Sequence, residues 1–323
     1  MSATYNYRRA AIVLALCCAF QIVTLAQTAS TPQNAPLPLG KLVDVGDYRV
    51  HLYCTGTGNP TVVIVGAGYS FDWGLVQPEV ARFTQVCSYD HSGIAWSEPG
   101  PKDSCPLRVS EVHIALKNAG IAGPYILVGH SLGGLVARLY AAQYANDVAG
   151  LVFVDHALAM LSRRPPNGAA ATTTPPSPPG GAKIAMGMED DPNFSKLPVR
   201  DRELHLFWGT AQARNQTSLG DNLDMLMDCV EQADAVIKDQ SHPLGDKALV
   251  DISAGDAPPM PPPVAEKWRA IYADLQAKLL SLSSNSKQVV AENSGHFIII
   301  DRPDVVIDAI RQVVRSVRTN SKL

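Results

Sequence analysis

A chain of 323 residues with a net charge of −3 and 18% charged residues has no basic footprint for nucleic acid. Beyond the N-terminus no apolar stretch reaches the ~20 residues that cross a bilayer. The length exceeds a single simple domain but suits an α/β enzyme with an inserted cap.

The chain opens on export machinery. Arg8 and Arg9 form a positive n-region, residues 10–25 are apolar except for Gln21 and Thr24, and Thr24 and Ala26 set small residues at −3 and −1. Residues 1–26 are therefore expected to be a secretory signal peptide, and the protein to be exported, periplasmic or secreted. The alternative is an N-terminal membrane anchor; with the signal cleaved, no stable membrane span is expected. Leu16 stands where a lipoprotein site needs a small residue before Cys17. Residues 27–40, rich in proline, read as a linker. Cys54, Cys87, Cys105 and Cys229 remain outside the apolar run, and in an exported protein they can pair as disulfides in more than one way. For Cys54 and Cys87 the competing reading is two small buried apolar residues. With no Cys-x-x-Cys, no metal is expected, and nothing calls for a cofactor.

Residues 41–54 alternate, with Tyr48, Val50, Leu52 and Cys54 on one face, and predict a hairpin turning at Gly46-Asp47. The β-branched run 61–65 predicts a strand buried on both faces. Gly66-Ala67-Gly68-Tyr69-Ser70 follows at its carboxyl end, where open α/β sheets bind ligands. Residues 73–83 read as helical, 84–89 as a strand and 109–119 as a short amphipathic helix. Residues 125–130, 150–154, 247–253 and 288–290 read as further strands. Helical spacing recurs over 132–145, 204–237, 264–282 and 303–317. The stretch 164–182 is almost all Pro, Ala, Gly, Thr and Ser, too poor in apolar surface to order itself, and reads as a mobile loop. Strands alternating with helices predict a mainly parallel sheet covered on both faces.

The chemistry centres on Gly129-His130-Ser131-Leu132-Gly133, between a strand and a helix. That is the sequence form of a nucleophile elbow, a tight turn that projects its serine hydroxyl clear of the sheet. A serine hydroxyl needs a base to become a useful nucleophile. Among eight histidines, His296 follows a late strand and precedes the last helix, which satisfies the order Ser, acid, His. Two acids satisfy the same order: Asp155, ending the strand after the elbow, and Asp256, ending the strand after the insertion. Chain order leaves both open. Asp251 lies mid-strand, so its direction depends on register, and Asp301 reads as a helix-entry residue. The oxyanion hole is expected from the N–H of Leu132 and that of Ala67, with Gly68 as the neighbouring alternative.

Five segments carry a resemblance: Pro60-Thr61-Val62-Val63-Ile64, Tyr89-Asp90-His91-Ser92-Gly93, Val128-Gly129-His130-Ser131-Leu132-Gly133-Gly134, Leu151-Val152-Phe153-Val154-Asp155 and Ser294-Gly295-His296. Together, residues 42–155 and 283–317 resemble the α/β-hydrolase superfamily, especially its bacterial esterase, lipase and peptidase-like members. The resemblance implies Ser131 as nucleophile, His296 as base, and Leu132 with the loop 66–68 as oxyanion hole. Val65-Gly66 departs from the usual His-Gly, and His91 and Ala95 replace an Arg and a Gly of the family's Asp loop. The seventh-strand acid motif survives only loosely, as Ser253-Ala254-Gly255-Asp256, and the resemblance, greatest at the Val154-Asp155 that ends the sixth strand, implies Asp155 slightly ahead of Asp256 as the acid.

The resulting expectation is an α/β-hydrolase core, 41–156 and 246–318, with a mostly helical cap, 157–245, inserted after the sixth strand. The expected activity is cleavage of a small-molecule carboxylic ester through an acyl-enzyme. Amide or peptide cleavage on the same machinery is the alternative, and a non-catalytic ligand-binding module is the alternative from another class. Ser131 at the elbow apex disfavours dehalogenase and epoxide hydrolase, which carry Asp there.

Overall fold

The structure, a computed structural model, describes residues 34–66, 68–156, 187–212, 219–235, 241–256 and 262–323. The expected signal peptide, Ala67 and the Pro/Ala/Gly-rich stretch 164–182 lie outside the described residues. Strands β1 (Lys41–Asp44), β2 (Arg49–Thr55), β3 (Thr61–Val65), β4 (Val86–Asp90), β5 (Tyr125–His130), β6 (Val148–Val154), β7 (Ala248–Ala254) and β8 (Ser286–Ala291) form one sheet. Their order is β1-β2-β4-β3-β5-β6-β7-β8. The β1–β2 and β2–β4 pairs are antiparallel, and the pairs from β4 to β8 are parallel.

The helices are α1 (Gln77–Val80), α2 (Cys105–Asn118), α3 (Leu132–Gln143), α4 (Val199–Gln212), α5 (Leu219–Ala235), α6 (Pro262–Leu280), α7 (Ile298–Asp301) and α8 (Pro303–Thr319). Every residue of β3, β4 and β5 is buried, as strands covered on both faces require. One face packs against α2, α3 and α5. The other packs against α1, α8 and residues 188–197. In α8 the buried stripe is Val306, Ala309, Ile310, Val313 and Val314, the three-and-four spacing of an amphipathic helix. Pro303 sits in its first turn, and Asn320 in the left-handed conformation ends it.

Two elements differ from the sequence reading. Residues 73–83 are not one helix: a 3-10 turn, Ser70–Trp73, precedes the single turn of α1. Helix α2 begins before its apolar periodicity does, because the Ser104 hydroxyl caps it by accepting the Leu107 N–H. Residues 34–40 pack on the molecule: Trp96 Nε1 donates to Pro36 O at 2.6 Å, and Gly40 N–H donates to His51 Nε2 at 2.9 Å.

The cysteines form two bridges, Cys54–Cys87 and Cys105–Cys229. Cys54 and Cys87 are direct partners across β2 and β4. The second bridge ties the first turn of α2 to α5, within the insertion between β6 and β7. Among the described residues no helix is long and apolar enough to cross a membrane.

Candidate active site

The carboxyl ends of β3, β5, β6, β7 and β8 lead into the loop 66–68, Ser131, Asp155, Asp256 and His296 respectively. Parallel strands bring all five to one edge of the sheet. Ser131 holds φ 53 and ψ −124, a conformation that costs a non-glycine residue about 1–3 kcal/mol and persists only where its surroundings enforce it. Here they do. Ser131 N–H donates to Val154 O at 3.1 Å, and Ser131 O accepts the Gly134 N–H at 3.0 Å. A Cβ on Gly133 would lie 1.8 Å from Val65 O, so only glycine lets α3 approach β3 this closely. Leu132 opens α3, where a backbone N–H has no acceptor within the helix and is free to face an anion.

His296 sits in the turn between β8 and α7. Its Nδ1 lies 2.6 Å from Asp155 Oδ2, so Nδ1–H donates to the carboxylate and Nε2 is left for chemistry. Asp155 holds φ 39, and its N–H donates to Ile252 O at 2.8 Å. Its second oxygen, Oδ1, accepts the Tyr272 hydroxyl at 3.1 Å and the Ala254 N–H at 3.4 Å. Asp256, the alternative acid, is exposed; its N–H donates to Ser294 O, and among the described residues its carboxylate has no hydrogen bond. No hydrogen bond joins Ser131 Oγ to His296 among the described residues; such contacts tighten when substrate binds.

Two supports of the His296 turn were not legible as such. His130 Nε2–H donates to His296 O at 2.9 Å. Burial first, and His296 second, lower the His130 pKa to about 4, so it donates as a neutral ring. Asp301, expected as a helix-entry residue, ends α7 instead. Its carboxylate accepts the Gly295 N–H at 2.8 Å, the Ser294 hydroxyl at 3.2 Å and the Asn193 side-chain amide at 2.7 Å. It braces the turn against the insertion.

The loop after β3 is held by two buried carboxylates. Asp72 Oδ2 accepts the Tyr69 N–H at 2.8 Å. Asp90 accepts the Ser70 N–H at 2.7 Å and the Ser70 hydroxyl at 2.9 Å, and takes His51 Nδ1 at 2.8 Å. Gly68 borders this loop, while Ala67 lies outside the described residues. In the Asp90 loop, Gly93 has φ 75 and Ala95 has φ 48, so Ala95 occupies a left-handed position suited to the family's glycine. Among the other histidines, His156 is buried against Gly134 and His113 stacks on the Tyr144 ring at 3.8 Å.

This fold and edge constellation define an α/β-hydrolase. The profile of the alpha/beta hydrolase family matches residues 58–309, and the chain belongs to that family of hydrolases. An uncharacterised Schizosaccharomyces pombe protein is 32% identical over 149 residues, 36% of this chain and 28% of that protein. An uncharacterised Bacillus subtilis protein is 26% identical over 264 residues, 80% of this chain and 85% of the other. The chain thus spans little more than a quarter of the yeast protein and most of the bacterial one. Among solved structures, a thermophilic esterase from Thermogutta terrifontis has a TM-score of 0.56 at 19% identity, covering 86% of this chain and 98% of that one. That last likeness is one of fold.

Proposed function

We propose that the chain is an exported serine hydrolase that cleaves carboxylic esters through an acyl-enzyme. The observation that carries the reading is the 2.6 Å contact between His296 Nδ1 and Asp155 Oδ2, on the same sheet edge as a serine held at an elbow. In this reading Asp155 fixes the His296 tautomer and stabilises its imidazolium. Nε2 of His296 takes the Ser131 proton as Oγ attacks the acyl carbon. The oxyanion is received by Leu132 N–H and by an N–H of the loop after β3, Ala67 or its neighbour Gly68. His296 then protonates the leaving alcohol, and water repeats the sequence on the acyl-enzyme. The two disulfides suit an oxidising compartment and agree with the export reading of residues 1–26.

The test is covalent labelling with a fluorophosphonate probe. Labelling should map to Ser131 and vanish in Ser131→Ala and His296→Ala. Turnover over p-nitrophenyl esters of graded length, beside matched anilides, then separates ester from amide cleavage. A folded chain that refuses the probe would instead support a ligand-binding module.

A further inference from the structure

His205 of α4 sets each ring nitrogen against a different carboxylate. Nδ1 lies 2.6 Å from Asp72 Oδ1, and Nε2 lies 3.1 Å from Glu189 Oε2. An ionised carboxylate can only accept, so both contacts are hydrogen bonds only when both nitrogens carry protons. A neutral ring would turn a lone pair toward one of the two carboxylates. His51 is the contrast: Gly40 N–H points at its Nε2, which therefore accepts, and only Nδ1 donates, to Asp90.

The bridge joins distant parts of the chain. His205 and Glu189 belong to the insertion between β6 and β7, whereas Asp72 belongs to the turn following the loop after β3. Asp72 works in both directions. One oxygen takes His205; the other accepts the Tyr69 N–H at 2.8 Å and lies so close to Gly68 that a Cβ there would sit 2.4 Å away. The imidazole is enclosed by the Tyr69 ring at 5.3 Å and the Phe194 ring at 5.2 Å. Of the other acids nearby, Asp201 on α4 pairs with Arg200 through Oδ1, while its buried Oδ2 has no hydrogen-bond partner among the described residues, and Asp90 is held by His51 and Ser70.

We propose that His205 is a positioning residue whose imidazolium latches the insertion to the loop after β3, through Glu189 and Asp72, and so holds the second oxyanion donor in place. This rests on the acyl-enzyme reading and adds a pH dependence to it. Burial opposes a charge on His205, but the hydrogen bonds and charges of Asp72 and Glu189 outweigh it, and its pKa stands above the ordinary histidine value. The sign follows. With Asp72 and Glu189 ionised the latch is complete below about pH 6.5, the pKa of an unfolded histidine, and is lost as pH rises through the raised folded value. Burial raises the Asp72 pKa above the ordinary aspartate value, so the bridge also fails in strong acid as that carboxylate takes up a proton. An unlatched loop weakens stabilisation of the oxyanion, so kcat falls more than KM rises.

The experiment has two arms, run on the full chain. In the first, ester turnover is followed across pH for the wild type, His205→Gln and Glu189→Gln. His205→Gln should lower kcat about 10- to 100-fold at pH 6, short of or up to the loss from removing an oxyanion donor outright. Glu189 is half exposed, and its neutral variant removes no buried partner. Glu189→Gln should keep most of kcat at pH 6 and move the alkaline limb toward acid by about one unit. In the second arm, imidazole NMR follows the His205 ring, which should carry protons on both nitrogens at pH 6. An alkaline limb indifferent to Glu189→Gln, or a His205 ring neutral at pH 6, overturns the latch. Absence of turnover and of Ser131 labelling in the wild type would instead overturn the acyl-enzyme reading, and the NMR arm would still decide whether the charged bridge exists.

Discussion

Tyr272 reaches from α6 to donate its hydroxyl hydrogen to Asp155 Oδ1 at 3.1 Å, while His296 Nδ1 engages Oδ2 of the same carboxylate at 2.6 Å. The carboxylate is thus held from both sides, with Ala254 N–H at 3.4 Å as the second donor to Oδ1. Under the proposed mechanism Asp155→Asn should lower kcat by about 10³–10⁴-fold, since an amide favours the wrong imidazole tautomer. Asparagine tolerates the left-handed backbone at this position, so the variant should fold. Tyr272→Phe removes one hydrogen bond to a charged group and should lower kcat about tenfold. Asp256→Asn should leave kcat near the wild-type value. Steady-state ester kinetics on the three variants checks the ranking, and a strong loss in Asp256→Asn with little in Asp155→Asn would reverse the assignment of the acid.

The parts of this site that sequence could reveal are those whose signal is local. Ser131 announces itself because strand, glycine-bracketed turn and helix are contiguous. His296 follows from chain order. Asp155 and Asp256 could be ranked only narrowly, because both end strands, and the difference lies in where the β8–α7 turn falls. His205 carried no signal: its partner Asp72 is 133 residues away, and no periodicity links the two. Asp301 was misread for a related reason. Its position next to a helix predicts a cap, while its carboxylate is spent on the preceding turn and on Asn193. The helix expected over 73–83 failed differently, since an apolar run there fits a 3-10 turn and one helical turn equally well.

Asp251 gives a stability prediction with a definite sign. It is fully buried on β7, and among the described residues neither carboxylate oxygen has a hydrogen-bond partner. Burial first, and the Asp155 charge second, push its pKa to about 8. An unfolded aspartate releases its proton near pH 3.9. Between these values the unfolded state binds fewer protons than the native one, so this residue lowers stability as pH rises from about 4 to about 8. Asp251→Asn keeps the shape without the ionisation. Its stability advantage over wild type should grow across that window by an amount on the order of a few kcal/mol. Urea unfolding at several pH values reads it directly; a difference that stays constant with pH would mean Asp251 is charged in the native protein.

Two glycine substitutions should move stability in opposite directions. Gly133→Ala would set a methyl 1.8 Å from the backbone oxygen of Val65, with no flexible side chain to yield. The variant should lose several kcal/mol or fail to fold, through overpacking at the elbow. Gly209 lies in α4, and a Cβ there meets nothing within 4 Å. Gly209→Ala should gain up to about 1 kcal/mol from helix propensity alone. Thermal melts of the two variants decide this, and equal effects would show that the elbow can relax more than its packing suggests.

The Cys105–Cys229 bridge closes a separation of 124 residues and is the covalent tie between α2 and the insertion. Both cysteines are fully buried, with α5 packed alongside through Met225, Leu226 and Val230. Replacing both by serine should cost about 2–5 kcal/mol, mostly by freeing the unfolded chain. The loss should not be uniform. The core sheet keeps its own packing and the Cys54–Cys87 bridge, so the insertion should open first. Limited proteolysis should then cut within residues 157–245 of the double-serine variant well before it cuts the core, and faster than it cuts the oxidised protein. Equal cleavage rates with and without the bridge would show that α5 is held by packing alone.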